Sequence, residues 1–199
     1  MKPTRPELPR EFIAVRKRRR ITDAMAELCA KQGYEATKIA DIVRLAGVAR
    51  KTLYDNFEGK EEVFLAAFDS ATAEMTARIE EACQEADGEW VDRAAAGLQA
   101  FLGYVAENPA AARLCLIEAM SATPTASARY DETVQGYVEL LRHNTPSDKN
   151  LPDTLEETLV GGVAWILHQE IRRGGAEKAL DLTPELLDFL VSPYRGVGN

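Results

Sequence analysis

Residues 37–57 read TKIADIVRLAGVARKTLYDNF, two short helical patterns separated by a glycine. Ile39, Ile42, Val43 and Ala46 recur at helical spacing, and Thr37 stands where an N-cap oxygen is wanted. Gly47 supplies the permissive backbone that ends the first helix. In the second, Leu53 and Phe57 lie one turn apart and pack inward, leaving Arg50, Lys51, Thr52, Tyr54 and Asn56 outward. That outer set combines cations, a hydroxyl, a phenol and an amide, the groups that bond phosphates and base edges in a major groove. The stretch therefore reads as a helix-turn-helix whose second helix is the recognition helix.

The charge of the whole chain, taken as a single sum, opposes this reading. The formal net charge is −8, but residues 1–60 hold 14 Lys or Arg against 8 Asp or Glu, and residues 61–199 hold 10 against 24. A basic first third joined to an acidic remainder suits a protein that sets one end against a polyanion; chance segregation of solvated charge is the plainer alternative. The 199 residues, 46% of them hydrophobic, suffice for packed cores. No stretch approaches the roughly 20 apolar residues of a membrane span. MKPTRPELPR at the start lacks the apolar core of a secretory signal, so the expectation is a cytoplasmic protein with no membrane partner. Cys29, Cys83 and Cys115 are odd in number and far apart, which fits buried reduced thiols better than a disulfide framework or zinc site.

Outward from the motif, the chain reads as all-α, with about nine helices. Residues 1–9, with Pro3, Pro6 and Pro9, predict a disordered arm whose Lys2 and Arg5 either reach a minor groove or simply float. A first helix spans Glu11 to Gln32, with Ile21, Met25, Leu28 and Cys29 inward and Gly33 as a left-handed cap. The cation block Arg16–Arg20 either flanks a DNA backbone or is solvated charge. Lys60 opens a helix that runs to Ala86 through Val63, Phe64, Phe68 and Ile79. Further helices are expected at 89–108, 110–122, 125–143 and 153–173, with a last one started by Thr183 and Pro184; the polar loop NTPSDKNLP, 144–152, is the least ordered part of the body. The expected domains are 10–59, a three-helix DNA-binding unit, and 60–199, a helical ligand-binding and dimerisation unit.

Catalysis finds no support. His143 and His168 are isolated, there is no Gly-rich phosphate loop or nucleophile elbow, and no cluster has metal-ligand spacing, so no enzyme, cofactor or metal is expected. Phe68, Phe101, Tyr104, Met120, Tyr137 and Trp165 are aromatic or adaptable residues on helices that can surround a cavity, though each also suits plain core packing. Glu118, inside an apolar run, either orients a ligand or pairs with an arginine, and His168 either faces a pocket or makes a structural hydrogen bond. The helix at 153–173 is apolar over a wide arc, with Leu155, Leu159, Val163 and Ile166 on one side and Val160, Ala164, Leu167 and Ile171 on another. Such a helix calls for burial from two directions. Leu159, Gly162, Val163 and Ile166, with Leu187, Leu190 and Val191 of the last helix, are accordingly the expected subunit interface, and purely intramolecular burial of the helix is the alternative.

The run GYEATKIADIVRLAGVARKTLYDNFEGKEEVF, residues 33–64, resembles the DNA-binding signature of TetR-family transcriptional regulators. Gly-Tyr, Thr, Asp-Ile, Ala-Gly-Val, Thr-Leu-Tyr, Phe and Lys-Glu stand in register, and the likeness covers roughly residues 12–68. Three positions depart from the common pattern: Lys38 where a second Thr is frequent, Ala49 where Ser or Thr often opens the recognition helix, and Lys51 where Gly is common. Ala49 removes a capping hydroxyl, while Lys38 and Lys51 each add a positive charge. The resemblance implies a homodimer that binds a near-palindromic DNA operator, with Thr37, Lys38, Arg50, Lys51, Thr52, Tyr54, Asn56 and Lys60 as the DNA-facing set. It also implies dimerisation through the last two helices, repression released by a small hydrophobic or amphipathic effector, and a fourth helix whose displacement resets the spacing of the DNA-binding units. The alternative is a helical small-molecule-binding or interaction protein without effector-controlled operator binding.

Overall fold

The structure, a computed structural model, describes residues 10–146 and 151–195. The arm at 1–9 and the centre of the loop at 147–150 lie outside the described residues. Among those described, the regular structure is entirely helical: nine α-helices and three short 3-10 turns. The chain divides into two compact units, Met1–Ala67 and Phe68–Asn199, so the division falls inside a helix rather than at the Gly59–Lys60 junction.

In the first unit, α1 (Arg10–Ala36) breaks at Gly33, whose φ of 79° is left-handed but whose ψ of 164° is extended. Gly33 is thus not the αL cap expected; it turns the chain out of the helix and drops Tyr34 into the core. The carbonyl that this break orphans is taken up by Thr37, whose hydroxyl donates to Gly33 O at 2.8 Å. Thr37 is therefore a buried tie, 1% exposed, and not the N-cap; that position belongs to Lys38, which makes no side-chain cap. α2 (Ile39–Ala46) ends as expected at Gly47, φ 59° and ψ 42°. α3 (Arg50–Tyr54) is shorter than expected, and Phe57 lies past its end, yet the Phe57 N–H still bonds Leu53 O at 2.9 Å and the ring stays buried. Ile21, Met25, Ile42, Leu53, Phe57, Val63 and Phe64 are all buried here, and Tyr34 meets Phe64 edge-on at 5.1 Å.

The second unit holds most of α4 (Lys60–Glu85), then α5 (Trp90–Glu107), α6 (Pro109–Leu116), α7 (Pro124–Asn144), α8 (Leu155–Arg172) and α9 (Thr183–Val191). The single helix expected at 110–122 is broken: Ile117 leaves helical geometry at φ −125°, ψ −61°, and Glu118–Met120 forms a 3-10 turn. A second 3-10 segment, Ala176–Leu182, precedes α9 and was not legible, because its buried Ala176 and Ala179 carry little hydrophobic signal. Thr183 does not cap α9; its hydroxyl donates back to Leu180 O at 2.7 Å. α7 starts with a true cap, Thr123 Oγ1 accepting from Ala126 N at 3.1 Å, followed by Pro124.

Two apolar clusters form this unit. One joins α5, α6, α8 and α9 through Leu98, Leu102, Leu116, Leu159, Val163, Leu167, Leu186 and Leu190. The other joins Met75 and Ile79 of α4 to Tyr104 of α5, with Tyr137 and Leu140 of α7 packed on it. Phe101 packs against both. α4 and α7 run parallel, as Asp69 pairs with Arg129 at 2.9 Å and, seven residues on, the Thr76 and Tyr137 hydroxyls meet at 3.2 Å.

Close approach of α4 and α5 depends on Gly97, where a Cβ would lie 2.6 Å from Cys83 Sγ. Gly97→Ala is expected to lower stability by about 1–3 kcal/mol, and Cys83→Ala in the same chain to recover most of it in a denaturant double-mutant cycle. Equal destabilisation in both backgrounds would place the cost elsewhere. A second expectation concerns Cys115, whose thiol burial pushes up to about 12 from 9.0, with the Asp69 charge adding to the effect. The folded state holds that proton more tightly than the unfolded chain, so its contribution is complete below pH 9 and falls away as the pH rises toward 12. Between pH 9 and 10 the unfolding free energy of the native sequence is expected to fall, and that of Cys115→Ala to fall less steeply, since tyrosine ionisation in the unfolded chain is common to both. Parallel pH profiles would remove Cys115 from the account.

Candidate functional site

The outward face of the helix-turn-helix is built by what is turned inward. Leu53 is fully buried, which sets the rotation of α3 and leaves Arg50, Lys51 and Tyr54 exposed, with Thr52 and Asn56 half-buried. Arg50 lies over the Tyr54 ring at 5.6 Å and donates to its hydroxyl at 3.3 Å, so the two side chains form one cationic and aromatic projection. Lys38 is exposed at the start of α2, and Arg44, at its end, is paired with Asp41 at 2.6 Å.

Three expected DNA contacts are otherwise engaged. Thr37 is buried, as described. Asn56 donates its amide to Thr52 O at 2.7 Å, closing the short helix. Lys60 donates to Tyr34 O at 3.1 Å with its ammonium 3.9 Å from the Tyr34 ring centre, so it fastens the α1 exit to the start of α4. Two contacts that sequence spacing did not reveal come from the Arg16–Arg20 block. Arg18 donates to Asn56 O at 3.0 Å and covers the Phe57 ring at 4.2 Å, and Arg20 donates to Gly47 O at 3.2 Å. The pair braces the turn before the recognition helix and the exit after it. Their partners are 38 and 27 residues away, beyond any local pattern.

In the second unit the gap left between the two apolar clusters is a cavity of about 170 Å³. One face of α4 lines it with Phe68, Thr72, Met75, Ile79 and Cys83, a span of about 22 Å at the helical rise. Of the eight expected ligand residues, Phe68, Phe101 and Tyr137 line it. The other five do not. Tyr104 is buried beneath the Arg78 guanidinium, 5.1 Å from its ring, where desolvation pushes its phenol strongly upward. Glu118 lies 3.8 Å from Arg113, the arginine pairing that was the plainer alternative. His168 donates Nδ1–H to Leu116 O at 3.0 Å, meeting the carbonyl end of α6. Trp165, 62% exposed, stacks on His168 at 5.8 Å, and Met120 is 47% exposed. The lining on α4 follows a period of three to four residues that the sequence displays, yet nothing in it distinguishes a cavity wall from a packed core.

The expected interface residues divide similarly. Leu159, Val163, Leu190 and Val191 are buried within the subunit, and Val163 and Leu190 line the cavity, so these four are not available to a partner. Gly162, Ile166 and Leu187 are half-buried; a Cβ on Gly162 would lie 2.9 Å from the Phe189 ring. What α8 and α9 leave outside is Trp165 and Phe189, the latter 39% exposed. No described helix is long and apolar enough to cross a membrane.

Residues 21–67 match the family described as bacterial regulatory proteins, tetR family. The fatty acid metabolism regulator protein of Bacillus subtilis is 34% identical over 65 residues, 33% of this chain, and the match spans about a third, 34%, of that relative's length. The fold is similar to that of the fatty acid degradation regulator FadR of Bacillus halodurans, with a TM-score of 0.81 at 18% identity over 96% of this chain and 99% of the other. It is also similar to the FadR of Bacillus subtilis solved in complex with stearoyl-CoA, with a TM-score of 0.77 at 21% identity over 87% and 97% of the two chains. Residues 21–67 are thus a helix-turn-helix unit of the kind found in bacterial regulatory proteins of the tetR family, carried in a chain whose fold is similar to those of the two FadR structures.

Proposed function

We propose that this protein is a dimeric repressor of transcription that binds a near-palindromic operator through α3 and is released by a molecule with a long acyl chain. The observation that carries the reading is the narrow apolar cavity along α4, in a chain whose other unit projects Lys38, Arg50, Lys51 and Tyr54 from a helix-turn-helix. A slender flexible chain suits a cavity that follows one helix face for about 22 Å; a compact ligand does not. The stearoyl-CoA bound by the Bacillus subtilis FadR supports the same class of effector.

The cavity is smaller than the roughly 300 Å³ or more of a typical ligand site, so a long acyl chain has to widen it. That requirement is what links binding to release: an effector shifts an equilibrium only by its preference for one state, and a chain that fits only the widened cavity has such a preference. α4 carries both cavity-lining residues and, in its first turns, Lys60, Val63 and Phe64 of the DNA-binding unit. Dimerisation would use the exposed Trp165 and Phe189 of α8 and α9 with Gly162, Ile166 and Leu187 at the margin, and would set two recognition helices about 34 Å apart on the duplex.

The test is selection of bound sequences from a random DNA pool by the purified protein, followed by titration of the selected site with and without a long-chain acyl-CoA. Enrichment of an inverted repeat is expected, with affinity falling tenfold or more when the acyl-CoA is present. Tyr54→Ala and Lys51→Ala are each expected to weaken operator binding by about 1–3 kcal/mol without changing the unfolding midpoint. Binding that is only salt-sensitive and indifferent to sequence would remove α3 as a reader, and operator binding untouched by acyl compounds would remove the effector class.

A further inference from the structure

Among the described residues that line the cavity, Arg93 alone is charged. It lies at one end of the cavity, where α4 finishes and α5 begins. Cys83 Sγ, near the close of α4, donates to Arg93 O at 3.4 Å, and the Arg93 charge opposes the upward push that burial gives the Cys83 thiol. Because α4 and α7 run parallel, the last residues of α7 arrive at the same end, and Asn144 and Thr145 complete the lining there. The opposite end is lined by Phe68, Cys115 and Leu116 together with Thr72, Tyr130 and Thr133, all uncharged; the Thr72 and Thr133 hydroxyls are taken up by the carbonyls of Phe68 and Arg129. The cavity is thus polarised in charge, with a cationic end and an uncharged end.

The guanidinium is incompletely used by the protein. One Nη donates to Gly88 O at 3.0 Å, which leaves the greater part of its five N–H donors. The neighbouring carboxylate of Asp92 accepts from Glu89 N at 2.9 Å, a cap at the start of α5. Asn144 donates one N–H to Leu140 O at 2.7 Å and has a second. A cation at the wall of an otherwise uncharged cavity is stabilised most by an anion that brings its own acceptors.

We infer that Arg93, assisted by Asn144, binds an anionic head on the effector, a carboxylate or a phosphate, and so fixes the chain with its tail toward Phe68 and Cys115. The inference rests on the acyl-effector reading above and adds to it the charge and the orientation of the ligand. Arg93 is then the residue that separates an acidic amphipath from a neutral one of equal length.

The experiment measures binding to the full-length protein of three probes of one chain length: a long-chain fatty acid, the corresponding alcohol, and the coenzyme A thioester. The native sequence is expected to bind at least one of the two anionic probes about tenfold or more tightly than the alcohol. Arg93→Gln should abolish that preference while leaving the alcohol affinity unchanged, and Arg93→Lys should retain part of it. Loss confined to the fatty acid assigns the head to a carboxylate, and loss confined to the thioester assigns it to the coenzyme phosphates. The alcohol also reports whether the variant's cavity is intact. An Arg93→Gln variant that weakens all three probes equally, or none, overturns the Arg93 subsite and leaves the acyl reading standing. A native protein that takes up none of the three overturns both.

Discussion

The buried face of α4 is the constraint on which the rest of the structure depends. Val63, Phe64, Ala67, Phe68, Ala71, Met75 and Ile79 are all less than one-tenth exposed, so a helix of 26 residues is turned inward for most of its length. Its first turns close the core of the helix-turn-helix unit, where Phe64 meets Tyr34, and its later turns meet α5 and α7. Burying a large apolar side chain is worth about 1.5–3 kcal/mol, so the rotation of this helix is fixed many times over. Thr72 and Cys83 are then committed to the cavity wall by the same rotation that buries Phe68 and Met75.

In the first unit the arrangement of polar groups follows from how short its helices are. α2 and α3 have eight and five residues, so a large share of their backbone carbonyls have no partner within the helix. Arg18, Arg20 and Lys60 meet three carbonyls at or beside the breaks, those of Asn56, Gly47 and Tyr34, and Thr37 meets that of Gly33. Charge-assisted bonds of this kind are stronger than neutral ones. The basic composition of this unit therefore has two parts: cations that hold the motif together, and cations such as Lys38, Arg50 and Lys51 that project from it.

The second unit is shaped by two clusters that do not merge. α8 and α9 pack with α5 and α6, α7 packs with both α4 and α8, and Phe101 packs on both clusters. The cavity lies between the sets, and beside it the Asp69–Arg129 pair and the Thr76–Tyr137 hydrogen bond tie α4 to α7. Its lining takes whatever the facing helices present, which is apolar along most of its length and cationic where Arg93 enters.

The sequence by itself determined the helical class, the order of the helices, the turn at Gly47 and the identity of the helix-turn-helix, because each depends on neighbours within one or two turns. Periodicity made Leu53 an inward residue and Arg50, Lys51 and Tyr54 outward ones, and the structure agrees. Only the tertiary structure decided which apolar residues face a cavity, a core or the outside. Phe101 and Trp165 are alike as aromatic residues on amphipathic helices, yet one lines the cavity and the other is 62% exposed. Leu159 and Val163 carry the same hydrophobic signal whether a partner or their own subunit covers them, and their own subunit does. Thr37 and Lys60 likewise suit DNA by residue type, but backbone carbonyls of Gly33 and Tyr34 claim them first. Local pattern fixes which way a side chain points from its helix; what stands opposite is set by contacts between residues far apart in the chain.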